Sequence, residues 1–107
     1  MSLKDIQKDT DEWAKQFNPP YWPQMDQMTC LTEEMGEVAR VMNHLHGAKK
    51  KKVEEAKQEL GGELCDVIFA LTCIANSNDI DLQSEWDKMM NERRYGRDNN
   101  RFEIWNG

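Results

Sequence analysis

The stretch Gly61–Asn76, GGELCDVIFALTCIAN, decides how this chain folds. From Leu64 to Ala75 every residue is apolar except Asp66 and Thr72. The stretch closes a helical segment running from about Val53 to Asn76, apolar nearly all round in its second half, which belongs at the centre of the fold. An ionised carboxylate taken out of water without a partner is so costly that it neutralises or finds a countercharge. Asp66 is therefore either held by a neighbouring Lys or Arg, or part of a site.

Outward from this segment the chain offers three more helical patterns and no convincing strand. On the N-terminal side, Met28, Leu31, Met35, Val38, Met42 and Leu45 recur at steps of three and four. They predict one long amphipathic helix from about Gln24 to His46, stopped by Gly47. The lysine run Lys49–Lys52 that follows reads as a solvated turn. A first helix spans about Ser2 to Phe17, with Ser2 or Asp5 as its cap, and ends at NPPYWP because consecutive prolines deny it hydrogen bonds. A fourth runs from about Leu82 to Tyr95 and stops at Gly96, leaving 96–107 as an irregular tail. The whole reads as one domain over 1–107, with an N-terminal helix 2–17 and a core 25–95. Four periodic segments with short connections predict an all-α four-helix bundle. A bundle this small with so apolar a central helix is expected to complete its cover by oligomerising, as a homodimer or homotetramer.

Composition narrows the function. At 107 residues there is room for one core. No uninterrupted apolar run approaches the roughly 20 residues of a bilayer span, and the charged start, MSLKDIQKDTDEW, does not read as a signal peptide. Cys30, Cys65 and Cys73 are odd in number and lack C-x-x-C spacing, which suits buried thiols in the cytoplasm. A net charge of −6 argues against nucleic acid or a membrane surface as partner. The charge is uneven: residues 88–101 carry about +3, leaving about −9 elsewhere.

The acids show a pattern. At about 100° per residue, with Met35 as zero, Glu34 lies near −100° and Glu37 near −160°. With Leu64 as zero on the next helix, Glu63 and Asp66 take the same two angles. Packed side by side, the two helices aim four carboxylates into one small volume, with Glu59 extending the strip. Gly36 and Gly62 beside the acids each cost roughly 1 kcal/mol of helix stability, which a close neighbour or ligand would explain. Four gathered carboxylates demand protons or cations, and an all-oxygen set suits hard divalent ions such as Mg²⁺ or Mn²⁺. A di-iron carboxylate bundle requires Glu-x-x-His. Neither His44 nor His46 has a Glu three residues earlier, so the two histidines read as caps on the end of their helix. A lone Glu-x-x-Glu is ordinarily a solvated face; two pairs in one phase are the stronger signal.

With these motifs, LTEEMGEVAR followed by QELGGELCDVIFAL resembles the MazG-like family of all-α nucleoside triphosphate pyrophosphohydrolases, in its short YpjD-type form. The family carries Glu-x-x-Glu on one helix and Glu-x-x-Asp on the next, matched here by Glu34, Glu37, Glu63 and Asp66. Its later Lys-x-x-Asn-x-x-Arg pattern is matched by Lys88, Asn91 and Arg94. The resemblance covers roughly residues 25–101. It implies a Mg²⁺-dependent enzyme cleaving an NTP or dNTP between the α and β phosphates, giving a nucleoside monophosphate and pyrophosphate. It implies that Glu34, Glu37, Glu63 and Asp66 hold the metal, with Asp66 buried to exclude water and Glu34 nominated as general base. Lys88, Asn91 and Arg94 would hold phosphates, with Arg97 and Arg101 in support. Trp22 and Tyr21 in NPPYWP would stack on the base, although an aromatic there can equally plug the end of a bundle. The Gly61–Gly62 pair departs from the pattern and is expected to loosen the third helix. Two other readings stand beside this one: a helical module that binds nucleotides or a protein without turnover, and a purely structural bundle.

Overall fold

The protein is described here from a computed structural model covering residues 1–48 and 53–107. The lysine run Lys49–Lys52 lies outside the described residues. Helix α1 spans Leu3–Ala14, α2 Gln24–His46, α3 Val53–Ser77 and α4 Leu82–Met89. The last continues as a π-helical segment, Met90–Asp98, and a final turn, Asn99–Arg101. The fold is all-α, with no strand among the described residues.

Local chemistry accounts for the ends. Ser2 and Asp5 cap α1 reciprocally: the Ser2 hydroxyl accepts from the Asp5 N–H at 3.2 Å, and the Asp5 carboxylate accepts from the Ser2 N–H at 2.9 Å. Helix α1 tightens into i−3 bonds at Gln16 and Phe17 before the prolines, where the Asn18–Pro19 bond is cis. Gly47 closes α2 in extended conformation, its N–H donating to the Asn43 carbonyl at 2.9 Å. Asp81 caps α4 through the Ser84 N–H. Helix α4 does not stop at Gly96. That glycine has no positive φ to turn the chain out, and the wider π turn carries the helix past it to Arg101.

Helix α3 is central, packed by α2 on one side and α1 on the other. It is long and apolar enough to cross a bilayer by length and composition, yet it carries Glu59, Glu63 and Asp66 and is clasped by two neighbours. The buried line of α2 holds Gln27, Leu31 and Val41; that of α3 holds Ala56 and Ala70. Gln27, Glu34 and Val41 are spaced by seven, as are Ala56, Glu63 and Ala70, so each acid sits mid-seam between buried residues. The seam is thus turned by roughly 100° from the stripe centred on Met35 and Leu64. Those stripe residues face outward: Met28, Met35, Met42, Leu64, Ile68 and Leu71 are 43–57% exposed.

Helix α4 packs on α1 rather than completing a bundle with α2 and α3. Its start is tied there by the Leu3 N–H donating to Gln83 Oε1, and the Leu82 N–H donating to Gln7 Oε1, each 2.9 Å. The molecule measures 53 × 40 × 26 Å with a radius of gyration of 17.3 Å, against about 13 Å for a compact chain of this length. Its surface of 8414 Å² exceeds by roughly 2,200 Å² what a compact monomer of this mass exposes.

Candidate metal centre and adjoining cavity

Helices α2 and α3 bring three of the four predicted acids together. One carboxylate oxygen each of Glu34, Glu63 and Asp66 lies within 4.8 Å of the others. Glu34 and Glu63 are half-buried in the seam, whereas Asp66, one position round the helix, is exposed. The expectation of a buried Asp66 is corrected: the carboxylates removed from water are the glutamates, because the seam runs through their line. Burial, followed by the negative charges of Asp66, Glu63, Glu37 and Glu33, pushes the Glu34 carboxyl above the ordinary glutamate range. Glu37 stands outside the cluster, accepting a hydrogen bond from Arg40 Nε at 3.0 Å on the surface of α2. Gly36, Gly61 and Gly62 have nothing within 4 Å of where a Cβ would stand. Among the described residues no close neighbour therefore explains them, and α3 runs unbroken through the Gly61–Gly62 pair. His44 is half-buried, with no partner for Nδ1 among the described residues, and the α2 end is closed by the Gly47 N–H.

The donor set fits a hard divalent cation. Octahedral Mg²⁺ needs ligand oxygens about 3 Å apart when adjacent and about 4.2 Å when opposite, so side-chain rotation alone closes a 4.8 Å cluster. Every donor is a carboxylate oxygen, with no thiolate or imidazole to favour a softer ion.

One turn from the cluster a cavity of about 320 Å³ opens between α1, the proline loop and the α2–α3 pair. Its walls include Trp13, Phe17, Trp22 and Phe69, with Cys30 and Cys73 at its floor. Trp13 meets Phe17 at 5.1 Å and Phe69 edge-on at 5.6 Å. Cys30 lies four residues before Glu34, and Ala70 lies four after Asp66, so cavity and acids share both helix faces. Burial pushes both thiols above their ordinary pKa, with carboxylate neighbours adding to it at Cys30 and the facing Cys30 adding at Cys73. Both are free thiols, as is the exposed Cys65, which is not the buried residue expected. Trp22, for which the sequence suggested either base stacking or a plug on the bundle end, lies at the cavity; Trp13, Phe17 and Phe69 join it there. The i, i+4 aromatic pair Trp13/Phe17 directly before the prolines was the available signal.

The basic residues lie elsewhere. Lys88 lies in the last turn of α4, while Asn91, Arg94 and Arg97 are exposed on the π-helical segment. Arg94 Nη1 and Arg97 Nε donate to opposite oxygens of Asp98 at 2.9 and 3.0 Å, and these contacts hold the Asp98 carboxyl below its ordinary pKa. None of the four lines the aromatic cavity, and the segment bearing them is anchored through α4 to α1.

Comparison with known proteins agrees with this architecture. Residues 24–102 match the MazG nucleotide pyrophosphohydrolase domain. YpjD of Bacillus subtilis (strain 168), described as uncharacterized, is 42% identical over 91 residues, covering 85% of this chain and 82% of that protein. The crystal structure of YpjD from Bacillus subtilis superposes with a TM-score of 0.79 at 41% identity, over 87% of this chain and 95% of that one. A Bacillus-conserved MazG protein, itself a nucleotide pyrophosphohydrolase, superposes at 0.74 with 38% identity, over 86% and 88%. With the acid pairs, the all-α architecture and these matches in accord, the chain belongs to the MazG family of nucleotide pyrophosphohydrolases, hydrolases acting on nucleotide phosphoanhydrides.

Proposed function

We propose that the protein hydrolyses an NTP or dNTP between the α and β phosphates, releasing a nucleoside monophosphate and pyrophosphate, with Mg²⁺ as the ion and Mn²⁺ as a substitute. The observation that carries this reading is the convergence of Glu34, Glu63 and Asp66 beside an aromatic cavity. A triphosphate cannot approach such a cluster without cations. When bound, the ion would supply positive charge against the α-phosphoryl group and lower the pKa of a water. Glu34, Glu63 and Asp66, with Glu37, would hold the ion. Glu34, whose raised proton affinity suits the role, accepts the proton from the attacking water. Glu37 would join them by leaving Arg40, an exposed ion pair worth about 0–1 kcal/mol.

Trp22 stacks on the base at the mouth of the cavity. Lys88, Asn91, Arg94 and Arg97 are assigned to the phosphates. That role requires their segment to approach the acids of its own chain or of a second copy, with Asp98 releasing its arginines. We also assign the outward apolar face of α2 and α3 to a homo-oligomeric interface. The excess surface of roughly 2,200 Å² has the size of a stable interface. Three free thiols suit the reducing cytoplasm.

The test is product analysis with each common NTP and dNTP, with Mg²⁺ and with chelator. Monophosphate plus pyrophosphate, lost with chelator and at least a hundredfold reduced in Asp66→Asn, is the expected result. Diphosphate plus phosphate would overturn the bond assignment. Binding without turnover would leave a nucleotide-binding module.

A further inference from the structure

The acid side of the α2–α3 pair has a direction. Cys30, Glu37 and His44 are spaced by seven and form one line along α2, and Cys73, Asp66 and Glu59 do the same along α3. The Gln27 amide donates to Ser77 Oγ at 3.2 Å, which sets the antiparallel register of the two helices. The lines therefore meet as three levels: the thiols at the cavity floor, Glu37 and Asp66, then His44 and Glu59. A nucleotide with its base end at the cavity and its α-phosphorus at the acids carries its outer phosphates about one helical turn, roughly 5 Å, toward the third level.

That stretch is bordered by Glu37 and Glu59, so the outer phosphates enter a negative field unless a cation stands between. Arg40 stands there. It lies three residues after Glu37 and four before His44, on the ridge between them. Helical side chains lean toward the N-terminus, which here is toward the acids. The one other Lys or Arg of α2 and α3 is Lys57, seven residues before Leu64 on the outward apolar line. Arg40 is held loosely: its Nε donates to Glu37 Oε2 at 3.0 Å, with the two side chains 45% and 50% exposed, and such pairs contribute little. Its terminal nitrogens have no hydrogen-bond partner among the described residues. A phosphate accepts from both at once, which is the stronger contact.

We propose that Arg40 exchanges Glu37 for the two outer phosphates of the substrate and keeps hold of the pyrophosphate after cleavage. The inference rests on the nucleotide reading of the acid cluster. The exchange frees the Glu37 carboxylate to join Glu34, Glu63 and Asp66, so one side-chain movement completes the acid set and grips the leaving group. The contact is made within the chain, by the helix that carries two of the acids, and it needs no approach of the π-helical segment.

The experiment is titration calorimetry with pyrophosphate and with dTMP, each in fixed excess Mg²⁺. Arg40→Ala, a change at an exposed residue, should weaken pyrophosphate binding by about tenfold or more and leave dTMP within about twofold. Arg40→Lys keeps the charge without the planar fork and should recover part of the loss. Lys8→Ala, an equal loss of charge on α1, should change neither ligand by more than about twofold. Pyrophosphate affinity in Arg40→Ala within about twofold of wild type, an equal loss for dTMP, or no pyrophosphate binding by the wild type would overturn the proposal. Hydrolysis of the common NTPs and dNTPs by the wild type is measured in parallel. Turnover with pyrophosphate affinity indifferent to Arg40 removes this inference alone; pyrophosphate binding that depends on Arg40, without turnover, removes the hydrolase reading and leaves Arg40 as a phosphate ligand.

Discussion

Replacing Gln27 with leucine tests whether the cavity wall is held as described. Gln27 is 5% exposed and sits on the α2 seam line one heptad before Glu34. Its amide ties the proline loop, through the Trp22 carbonyl, to the end of α3, through Ser77. Leucine keeps the helix and nearly the volume but donates nothing. Ser77 is partly compensated, since its hydroxyl also reaches the Ile74 carbonyl at 3.2 Å and the Gln24 amide at 3.4 Å. The Trp22 carbonyl has no such second donor on the loop. One orphaned acceptor costs about 1–3 kcal/mol and one lost hydrogen bond about 1, offset in part by burying leucine, for a net loss near 2 kcal/mol. In a chain of this size that is a fall in Tm of roughly 10 °C. Urea unfolding followed by tryptophan fluorescence, at fixed protein concentration because association adds stability, gives the number. Gln27→Glu should cost more than leucine at neutral pH, since its carboxylate faces the Trp22 carbonyl oxygen. Ser77→Ala should cost under about 1 kcal/mol. A Gln27→Leu protein within 0.5 kcal/mol of wild type would refute the tether, as would a Gln27→Glu protein of undiminished stability.

Four other outcomes follow from the same geometry. Arg40→Ala releases Glu37 and should tighten Mg²⁺ binding up to about fivefold by calorimetry; unchanged affinity would keep Glu37 out of the site. The Glu34 carboxyl is raised mainly by burial, so the metal-free fold binds its proton more tightly than the unfolded chain, whose value is near 4.5. Its stabilising contribution is therefore full below that value and lost as pH rises through the raised one; the Tm difference between wild type and Glu34→Gln should follow this course without metal and change with Mg²⁺. Glu63→Leu should stabilise the metal-free protein by about 1–2 kcal/mol in urea while abolishing its stabilisation by Mg²⁺; destabilisation would mark the acid as structural. Leu71→Glu, on the outward face of α3, should yield a monomer in sedimentation, and an unaltered assembly would move the interface elsewhere.

The helices and the acid pairs were legible because periodicity and capping are local. Ser2 and Asp5 announce a cap by spacing alone, and Gly47 stops α2 where a helix-breaking residue follows a finished stripe. Gly96 misled because a glycine ends a helix only if the chain turns left-handed there, and here it does not. The convergence of Glu34, Glu63 and Asp66 followed from shared phase. Asp66 was read as the buried member since its sequence neighbours are apolar, yet burial follows the seam, and the seam passes through Glu34 and Glu63. The aromatic cavity joins residues up to sixty positions apart, Trp13 with Cys73, and no local pattern carries that. Whether α4 would pack on α2 and α3 was equally invisible, because it depends on two glutamine contacts to the start of α1.

The two readings of α2 and α3, one with the core at Met35 and Leu64 and one with it at Glu34 and Glu63, describe two faces of the same helix pair. Antiparallel helices that meet along one line present their next lines, about 100° round, on a common side. Met28, Met35, Met42, Leu64 and Leu71 therefore form one apolar surface, while the acids look into the seam and toward the cavity on the other side. A chain selected only for stability would place leucines on the seam and polar residues on the open face. This one does the reverse at Glu34 and Glu63. The half-buried acids weaken the seam unless a cation neutralises them, and the open face needs a partner surface to shed its water. On the proposed function both needs would be met from outside the monomer, one by a metal-bound nucleotide and the other by a second copy. A bundle so arranged would then tie its own stability to the two things the proposed function requires.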